Sequence, residues 1–407
     1  MNINTTSDSW RTNLGYQSVS TLYVALLGFL LSVILARELG VENFGKYSYI
    51  LSLAGIFVII QDGGYKTIIL RESVDSFNKS LLSSAVFHVI SITILGILVI
   101  FLFQPHYWLG ILTAVICMGL VVLTSFVSSL LKGRGDFKSD AIWKIVIRSL
   151  TAFAILCVLF FFENSSVTSL FVAWSVALLI VLIWPFVKGF LRCPSFKIKG
   201  DLFRASIVFL TIDIATIFYF RSDIVMLEYF GKISSDVGQY SAAYRILEGV
   251  ILLATPVAQI AFRSLRLRQG QKEFYSLLGL LVLLMLLVSL IISLMGVFLG
   301  KDFMLLVFGE QYHFAGELLP LLLFAMLFIL PNYILTQGTI ALDKEISYAK
   351  IVVLVAFLNI VLNLWLIPDF GAIGAAGATI FSEGILFLGL GWVIWREWIG
   401  VKNANWS

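Results

Sequence analysis

Continuous apolar runs of about 20 residues, separated by short polar connections, are the feature that most constrains this chain. A helix of about that length crosses the hydrocarbon core of a membrane. Hydrophobic residues make up 60% of the 407 residues and charged residues only 13%, far from the balance of a soluble domain. Because the runs are continuous and do not alternate in polarity, they favour helices over the strands of an outer-membrane barrel. The sequence therefore predicts an all-α polytopic membrane protein.

The length and hydropathy of these runs predict about twelve transmembrane helices. The predicted spans cover residues 14–36, 46–61, 80–103, 107–131, 141–162, 168–190, 205–228, 238–261, 276–299, 317–341, 347–367 and 371–396. The first six would form an N-terminal lobe, 1–190, and the last six a C-terminal lobe, 205–407. A basic cytoplasmic linker, 191–204, would join the lobes.

The distribution of Lys and Arg predicts the orientation of the spans. Nineteen of the 28 basic residues fall in the alternate segments that include both chain ends, whereas four fall in the opposite set. Since Lys and Arg are retained on the cytoplasmic side, both termini are predicted to be cytoplasmic. The net charge of +4 reflects this topology, so no nucleic-acid partner is expected.

Two short motifs recur at equivalent places in the two sets of six spans. Gly-Lys-Tyr-Ser at 45–48 matches Gly-Gln-Tyr-Ser at 238–241. A looser match follows the fourth and tenth spans: Asp136 with Trp-Lys-Ile-Val at 143–146 resembles Asp343 with Ala-Lys-Ile-Val at 349–352. One four-residue match can arise by chance in so apolar a chain, but two at corresponding positions favour a duplication. The sequence thus predicts two six-helix lobes related by a pseudo-twofold axis along the membrane normal.

Polar side chains inside the predicted spans are the candidates for a functional site. A bilayer tolerates charged groups mainly where they face water or one another, so these residues predict a polar path between the helices. The candidate set is Arg148, Asp213, Arg221, Asp223, Arg245, Glu248, Asn359, Asn363 and Glu383. Four of them, at similar predicted depth, are expected to form an ion-pair cluster: Arg221, Asp223, Arg245 and Glu248.

Two interpretations of these charges stay open. Pairs such as Arg221 with Asp223, or Arg245 with Glu248, can simply lock helices together. Alternatively, a hydrated lumen holds a polar or phosphorylated head group, with arginine as the phosphate partner because its planar fork matches phosphate oxygens. The set contains three positive and four negative charges, so a strongly cationic tunnel is not predicted.

Signatures of catalysis and of nucleotide or metal binding do not occur in the sequence. It contains no GxxxxGK[ST], HExxH or GxSxG pattern, so neither ATP hydrolysis nor covalent catalysis is supported. The three cysteines and three histidines are scattered without metal-ligand spacing. We therefore expect a membrane transporter, not an enzyme, with no catalytic residue, metal or cofactor. A coupling ion, H⁺ or Na⁺, is the one small partner left open.

Four motifs resemble those of a known family. They are LGVENFGKYS (39–48), QDGG (61–64), RSD (221–223) and VGQYSAAYR (237–245). Together with the predicted spans, they resemble the bacterial polysaccharide-biosynthesis export family. Its members include the O-antigen flippases of the multidrug/oligosaccharidyl-lipid/polysaccharide exporter superfamily. The resemblance covers nearly the whole chain.

The resemblance implies a flippase of the bacterial inner membrane. Its substrate would be an undecaprenyl-diphosphate-linked oligosaccharide, an O-antigen or capsule repeat unit, moved from the cytoplasmic to the periplasmic leaflet by alternating access. Polysaccharide polymerase machinery is a candidate partner. The family's lumen charges map here onto Arg148, Asp213, Arg221, Asp223 and Arg245.

Two alternatives belong to other functional classes. The first is a proton- or sodium-coupled multidrug or cation antiporter of the same superfamily, in which Asp213 or Glu383 would exchange a proton for a cationic substrate. The second is a membrane scaffold for sugar-polymer assembly, which would not depend on intramembrane charges for transport.

Overall fold

The computed structural model describes residues 7–75, 79–162, 166–187, 200–233 and 235–404. Within these ranges every regular element is helical, as predicted. The helices are α1 (Ser7–Asp62), α2 (Tyr65–Asp75), α3 (Lys79–Phe103), α4 (Trp108–Gly133), α5 (Phe137–Phe161), α6 (Val167–Val187), α7 (Gly200–Phe230), α8 (Asp236–Arg266), α9 (Lys272–Phe308), α10 (His313–Ala341) and α11 (Glu345–Ala404). A 3₁₀ turn, Glu310–Tyr312, precedes α10. In the described part of the chain, eight helices are long and apolar enough to cross a membrane.

Glycines divide the two longest helices. The backbone of α1 breaks at Gly40 (φ 71°, ψ 171°) and that of α11 at Gly371 (φ 54°, ψ −132°). A positive φ is costly for a residue with a Cβ atom, and glycine avoids that cost. Gly40 falls between the first and second predicted spans, and Gly371 is the first residue of the predicted twelfth span. The exact number of crossings stays a prediction, because α7 and α8 are not among the eight helices that qualify by length and composition.

The chain divides into two compact units. The first comprises Met1–Glu38 and Ile50–Leu210, and the second comprises Leu39–Tyr49 and Thr211–Ser407. The short segment Leu39–Tyr49 therefore groups with the second unit, although it lies early in the chain. The lobe boundaries stay predictions, and residues 191–199 of the predicted linker lie outside the described residues.

Helix α4 forms the centre of the first unit. Phe126, Val127 and Leu130 of α4 are fully buried, in one core with side chains of α2, α3, α5 and α6. The indole nitrogen of Trp143 in α5 donates a hydrogen bond to the carbonyl oxygen of Thr124 in α4 (3.0 Å). This buried bond fixes α5 against α4.

Helix α10 forms the centre of the second unit. Leu318, Leu322 and Met326 of α10 are fully buried, and the hydroxyl of Ser293 in α9 donates to the carbonyl oxygen of Leu323 in α10 (2.8 Å). Since α4 and α10 correspond to the fourth and tenth predicted spans, the central helices occupy equivalent places in the two predicted repeats.

The two Gly-x-Tyr-Ser motifs pack against each other within the second unit. A Cβ atom added at Gly45 would lie 2.9 Å from the backbone nitrogen of Gly238, and one added at Gly238 would clash with the carbonyl oxygen of Val41. Phe44 packs edge-on against Tyr312, with ring centroids 6.3 Å apart. The start of the second section of α1 thus rests directly on the start of α8.

Candidate functional site

The second unit holds eight of the nine candidate residues, and Arg148 belongs to the first unit. Arg148 lies on α5 and packs beside Gly28 of α1, where an added Cβ atom would lie 3.2 Å from the guanidinium carbon. Asp213 is exposed on α7, about two helical turns before Arg221. Six of the other seven candidates fall into two groups, and Asp223 has partners of its own.

The first group is a cluster of Arg221, Arg245 and Glu248, here called the arginine cluster. Glu248 Oε2 accepts a hydrogen bond from Arg245 Nη1 at 2.6 Å, and Glu248 Oε1 forms an ion pair with Arg221 Nη2 at 3.3 Å. One carboxylate therefore bridges guanidinium groups from α7 and α8, and the cluster keeps a net charge of +1.

Local sequence explains one of the two contacts in the arginine cluster, the one between Arg245 and Glu248. Arg245 and Glu248 are three residues apart on α8, a spacing at which side chains of opposite charge meet. Their side chains are 18% and 29% exposed, and that of Arg221 is 26% exposed. An added Cβ atom at Gly249 would meet no atom of the described residues within 4 Å, so α8 has open space at that position. Charged side chains that remain partly exposed within a membrane need water around them, so this face of α8 is suited to a polar path.

Asp223, the fourth expected member of the arginine cluster, takes other partners. Its carboxylate accepts hydrogen bonds from the Tyr240 hydroxyl (2.6 Å) and from the N–H of Ile224 (2.7 Å), and the residue is 2% exposed. Residues two apart on a helix point in nearly opposite directions. Arg221 therefore pairs with Glu248 of α8, and the ion pair expected with Asp223 of its own helix is not formed.

Glu383 is the centre of the second group. Its Oε1 accepts from the Tyr219 hydroxyl (2.8 Å) and its Oε2 from Asn332 Nδ2 (2.7 Å). Glu383 is 2% exposed, and no Lys or Arg of the described residues forms an ion pair with it. Burying an ionised carboxylate without a cation costs free energy. Glu383 is therefore suited to binding a proton or a small cation.

Asn359 and Asn363 extend the second group along α11. Asn359 Oδ1 accepts from Asn363 Nδ2 (3.0 Å) and from the Ser222 hydroxyl (3.3 Å), while its Nδ2 donates to the Ser382 hydroxyl (3.1 Å). The amide oxygens of Asn363 and Asn332 are buried without a hydrogen-bond partner in the described part of the chain. The oxygen of Asn332 belongs to the side chain that donates to Glu383, so it is a neutral acceptor beside this carboxylate.

Sequence reasoning missed a buried polar network in the first unit. Asp140 is fully buried and accepts from Gln17 Nε2 (2.8 Å) and from the Ser128 hydroxyl. Lys144 forms an ion pair with Asp140 (2.9 Å) and donates to Gln17 Oε1 (2.8 Å). The spacing of Asp140 and Lys144, four residues apart on one helix, is the signal that could have revealed it.

Asp343, between α10 and α11, takes part in a contact that joins two helix ends. Hydrogen bonds from Gln269 (2.8 Å) and Arg266 (2.6 Å) hold the pKa of this exposed carboxyl below its usual value. Arg266 also donates to the carbonyl oxygen of Ala341 (2.9 Å), so this contact joins the end of α8 to the end of α10.

Comparisons with known proteins place the chain in a family. A family model described as polysaccharide biosynthesis protein matches residues 11–263. The chain is similar to the capsular polysaccharide biosynthesis protein CapF of Staphylococcus aureus, with 24% identity over 394 residues that cover 92% of this chain and 97% of that protein. It is also similar to the probable low-salt glycan biosynthesis flippase Agl15 of Haloferax volcanii, with 26% identity over 384 residues that cover 90% of this chain and 79% of the relative.

Solved structures share the fold. The lipid II flippase MurJ in its inward closed conformation matches with a TM-score of 0.76 and 15% identity, covering 93% of this chain and 87% of that one. The MATE multidrug transporter DinF-BH matches with a TM-score of 0.67 and 14% identity, covering 97% of both chains. These comparisons agree with the expectation of a two-lobe membrane transporter and not an enzyme. The chain belongs to the polysaccharide biosynthesis protein family and has the fold of flippases and multidrug transporters.

Proposed function

We propose that this protein is a flippase for an undecaprenyl-diphosphate-linked oligosaccharide, such as an O-antigen or capsule repeat unit. The arginine cluster is the observation that carries this proposal beyond family membership. It presents two partly exposed guanidinium groups from two helices at one place. Guanidinium groups bind phosphate oxygens through paired, charge-assisted hydrogen bonds. The names of the relatives, a capsular polysaccharide biosynthesis protein and a probable glycan biosynthesis flippase, support the same class of substrate.

Moving a sugar-diphosphate head group across a membrane requires a hydrated path between helices. A sugar diphosphate has many polar groups, and each costs several kcal/mol in hydrocarbon unless it is hydrated or paired. Charged residues along the path replace bulk water around the head group, while the polyprenyl chain stays in lipid. No covalent bond changes in this process, so catalytic residues are not needed.

The proposal includes a location and a direction. The bias of Lys and Arg supports cytoplasmic termini in a bacterial inner membrane. From that orientation, alternating access of the two lobes would deliver the head group from the cytoplasmic to the periplasmic leaflet, where polysaccharide polymerase machinery would receive it.

Glu383 is the proposed site of energy coupling. A buried carboxyl held by two neutral donors can change its protonation, or take up Na⁺, without breaking an ion pair. The same observation supports a second candidate function, a cation antiporter in which H⁺ or Na⁺ at Glu383 is exchanged for a cationic substrate.

Replacing the two arginines separates the candidate functions in cells. We expect the double variant Arg221→Ala, Arg245→Ala to lose surface polysaccharide at a normal protein level. Lys232→Ala is the matched control, because Lys232 is exposed and its 3.8 Å contact with Asp369 lies on the surface. Lost drug resistance with normal polysaccharide would favour the antiporter, and retention of both properties would favour a scaffold.

A further inference from the structure

We infer that Glu248 is an internal counter-ion that occupies the arginine cluster in the empty protein and leaves it when a substrate phosphate binds. This inference rests on the proposed function, because it concerns how the same cluster takes up and releases its substrate. It assigns Glu248 a positioning role distinct from that of the two arginines.

The geometry of Glu248 is that of a phosphate substitute. Its two oxygens are divided between two guanidinium groups, at 2.6 Å from Arg245 and 3.3 Å from Arg221. A phosphate group offers oxygens to two such forks in the same way. Without an anion between them, the two arginines would repel each other, so Glu248 keeps them close together before substrate arrives.

The arginine cluster is accessible enough for exchange. All three side chains are between 18% and 29% exposed, whereas the nearby Asp223 is 2% exposed and held by two donors. An incoming phosphate can therefore reach the guanidinium groups, and its own charge-assisted hydrogen bonds to them offset the loss of the Glu248 contacts. Asp223, by contrast, is fixed in the core.

A counter-ion of this kind weakens substrate binding, and transport benefits from that. A carrier must bind its substrate well enough to load it and weakly enough to release it on the other side. By returning to the arginines, Glu248 would replace the departing phosphate and speed release. Its removal should then raise affinity and lower turnover together.

The test uses the full chain in detergent, with undecaprenyl diphosphate and undecaprenol as probes. Wild type should prefer the diphosphate. Glu248→Gln keeps the shape of the side chain and an oxygen for Arg245, and should bind the diphosphate about tenfold tighter, equivalent to about 1.4 kcal/mol. Translocation by the same variant in proteoliposomes should be slower. Glu310→Gln, an exposed change between α9 and α10, should leave both properties unchanged.

The outcomes separate the inference from the proposed function. If wild type does not distinguish the two probes, the phosphate site fails, and the role of Glu248 fails with it. If wild type prefers the diphosphate but Glu248→Gln binds it equally or more weakly, only the counter-ion role is refuted. Should Glu248→Gln fail to fold, Glu248→Asp serves instead. Its shorter side chain should loosen the Arg221 contact and tighten binding, and unchanged affinity in that variant would also refute the role.

Discussion

Replacing Tyr240 by Phe isolates one buried hydrogen bond in the second unit. The Tyr240 hydroxyl donates to Asp223 at 2.6 Å, and the two residues are 0% and 2% exposed. The change removes one oxygen atom and leaves the ring in place, so packing is preserved. A hydrogen bond to a charged group contributes about 1.5–3 kcal/mol, and water cannot replace the donor at a site this buried.

A loss of about 2 kcal/mol should lower the thermal unfolding midpoint of a unit of this size by about 4–8 °C. Thermal unfolding of the purified protein in detergent measures this shift. Tyr49→Phe is the matched control, because the Tyr49 hydroxyl donates to a neutral partner, the hydroxyl of Tyr229 (2.9 Å). A neutral bond contributes about 0.5–1.5 kcal/mol, so the control should have the smaller effect.

A double-mutant cycle tests the cause of the shift. In an Asp223→Asn background, Tyr240→Phe should cost less, because the charged acceptor is already gone. Equal shifts for Tyr240→Phe and Tyr49→Phe, or fully additive effects of the Tyr240 and Asp223 changes, would refute the view that this bond holds a buried carboxylate.

Three further predictions concern packing, a buried ion pair and pH. Gly45→Val should destabilise the second unit by about 1–3 kcal/mol through overpacking against α8, seen as a lower unfolding midpoint; an unchanged midpoint would contradict the close approach of the backbones. Lys144→Met should lower the free energy of unfolding by about 1–3 kcal/mol. The loss should be smaller than for a fully buried ion pair, because Lys144 is 24% exposed and Asp140 keeps two other hydrogen-bond donors. A variant as stable as wild type would show that the pair contributes nothing. The stabilising contribution of Asp343, whose folded pKa is lowered, should be complete above its unfolded pKa of about 3.9 and lost as pH falls through the lower folded value. Asp343→Asn should remove that acid-dependent loss, and an identical acid dependence in the variant would exclude Asp343 as its source.

The helices were predictable because an apolar run long enough to span a bilayer must satisfy its backbone hydrogen bonds internally, and a helix does so. Both breaks in the long helices fall at glycines where one predicted span gives way to the next: Gly40 lies between the first and second, and Gly371 is the first residue of the twelfth. Within the candidate site, the contact of Arg245 with Glu248 follows from their spacing on one helix.

Contacts between helices could not be predicted in the same way. The spacing of Arg221 and Asp223 on one helix already disfavours a pair between them. That Arg221 reaches Glu248, however, depends on how α7 and α8 are rotated against each other, and hydropathy does not encode that rotation. The partners of Glu383 come from α7 and α10, far away in the chain. The grouping of Leu39–Tyr49 with the second unit depends on the close approach of two glycine-containing motifs.

Translocation of a lipid-linked repeat unit in proteoliposomes is the most direct test of the central claim. The repeat unit, isolated from the native host, is placed with the purified protein in vesicles, and exposure of the sugar is scored with an external lectin. We expect exposure that depends on the protein and is abolished by Arg221→Ala, while Lys232→Ala behaves as wild type. Exposure that is equal in Arg221→Ala and wild type would contradict a transport role for the arginine cluster. No exposure by correctly folded wild type, with proton and sodium gradients imposed, would contradict the flippase itself.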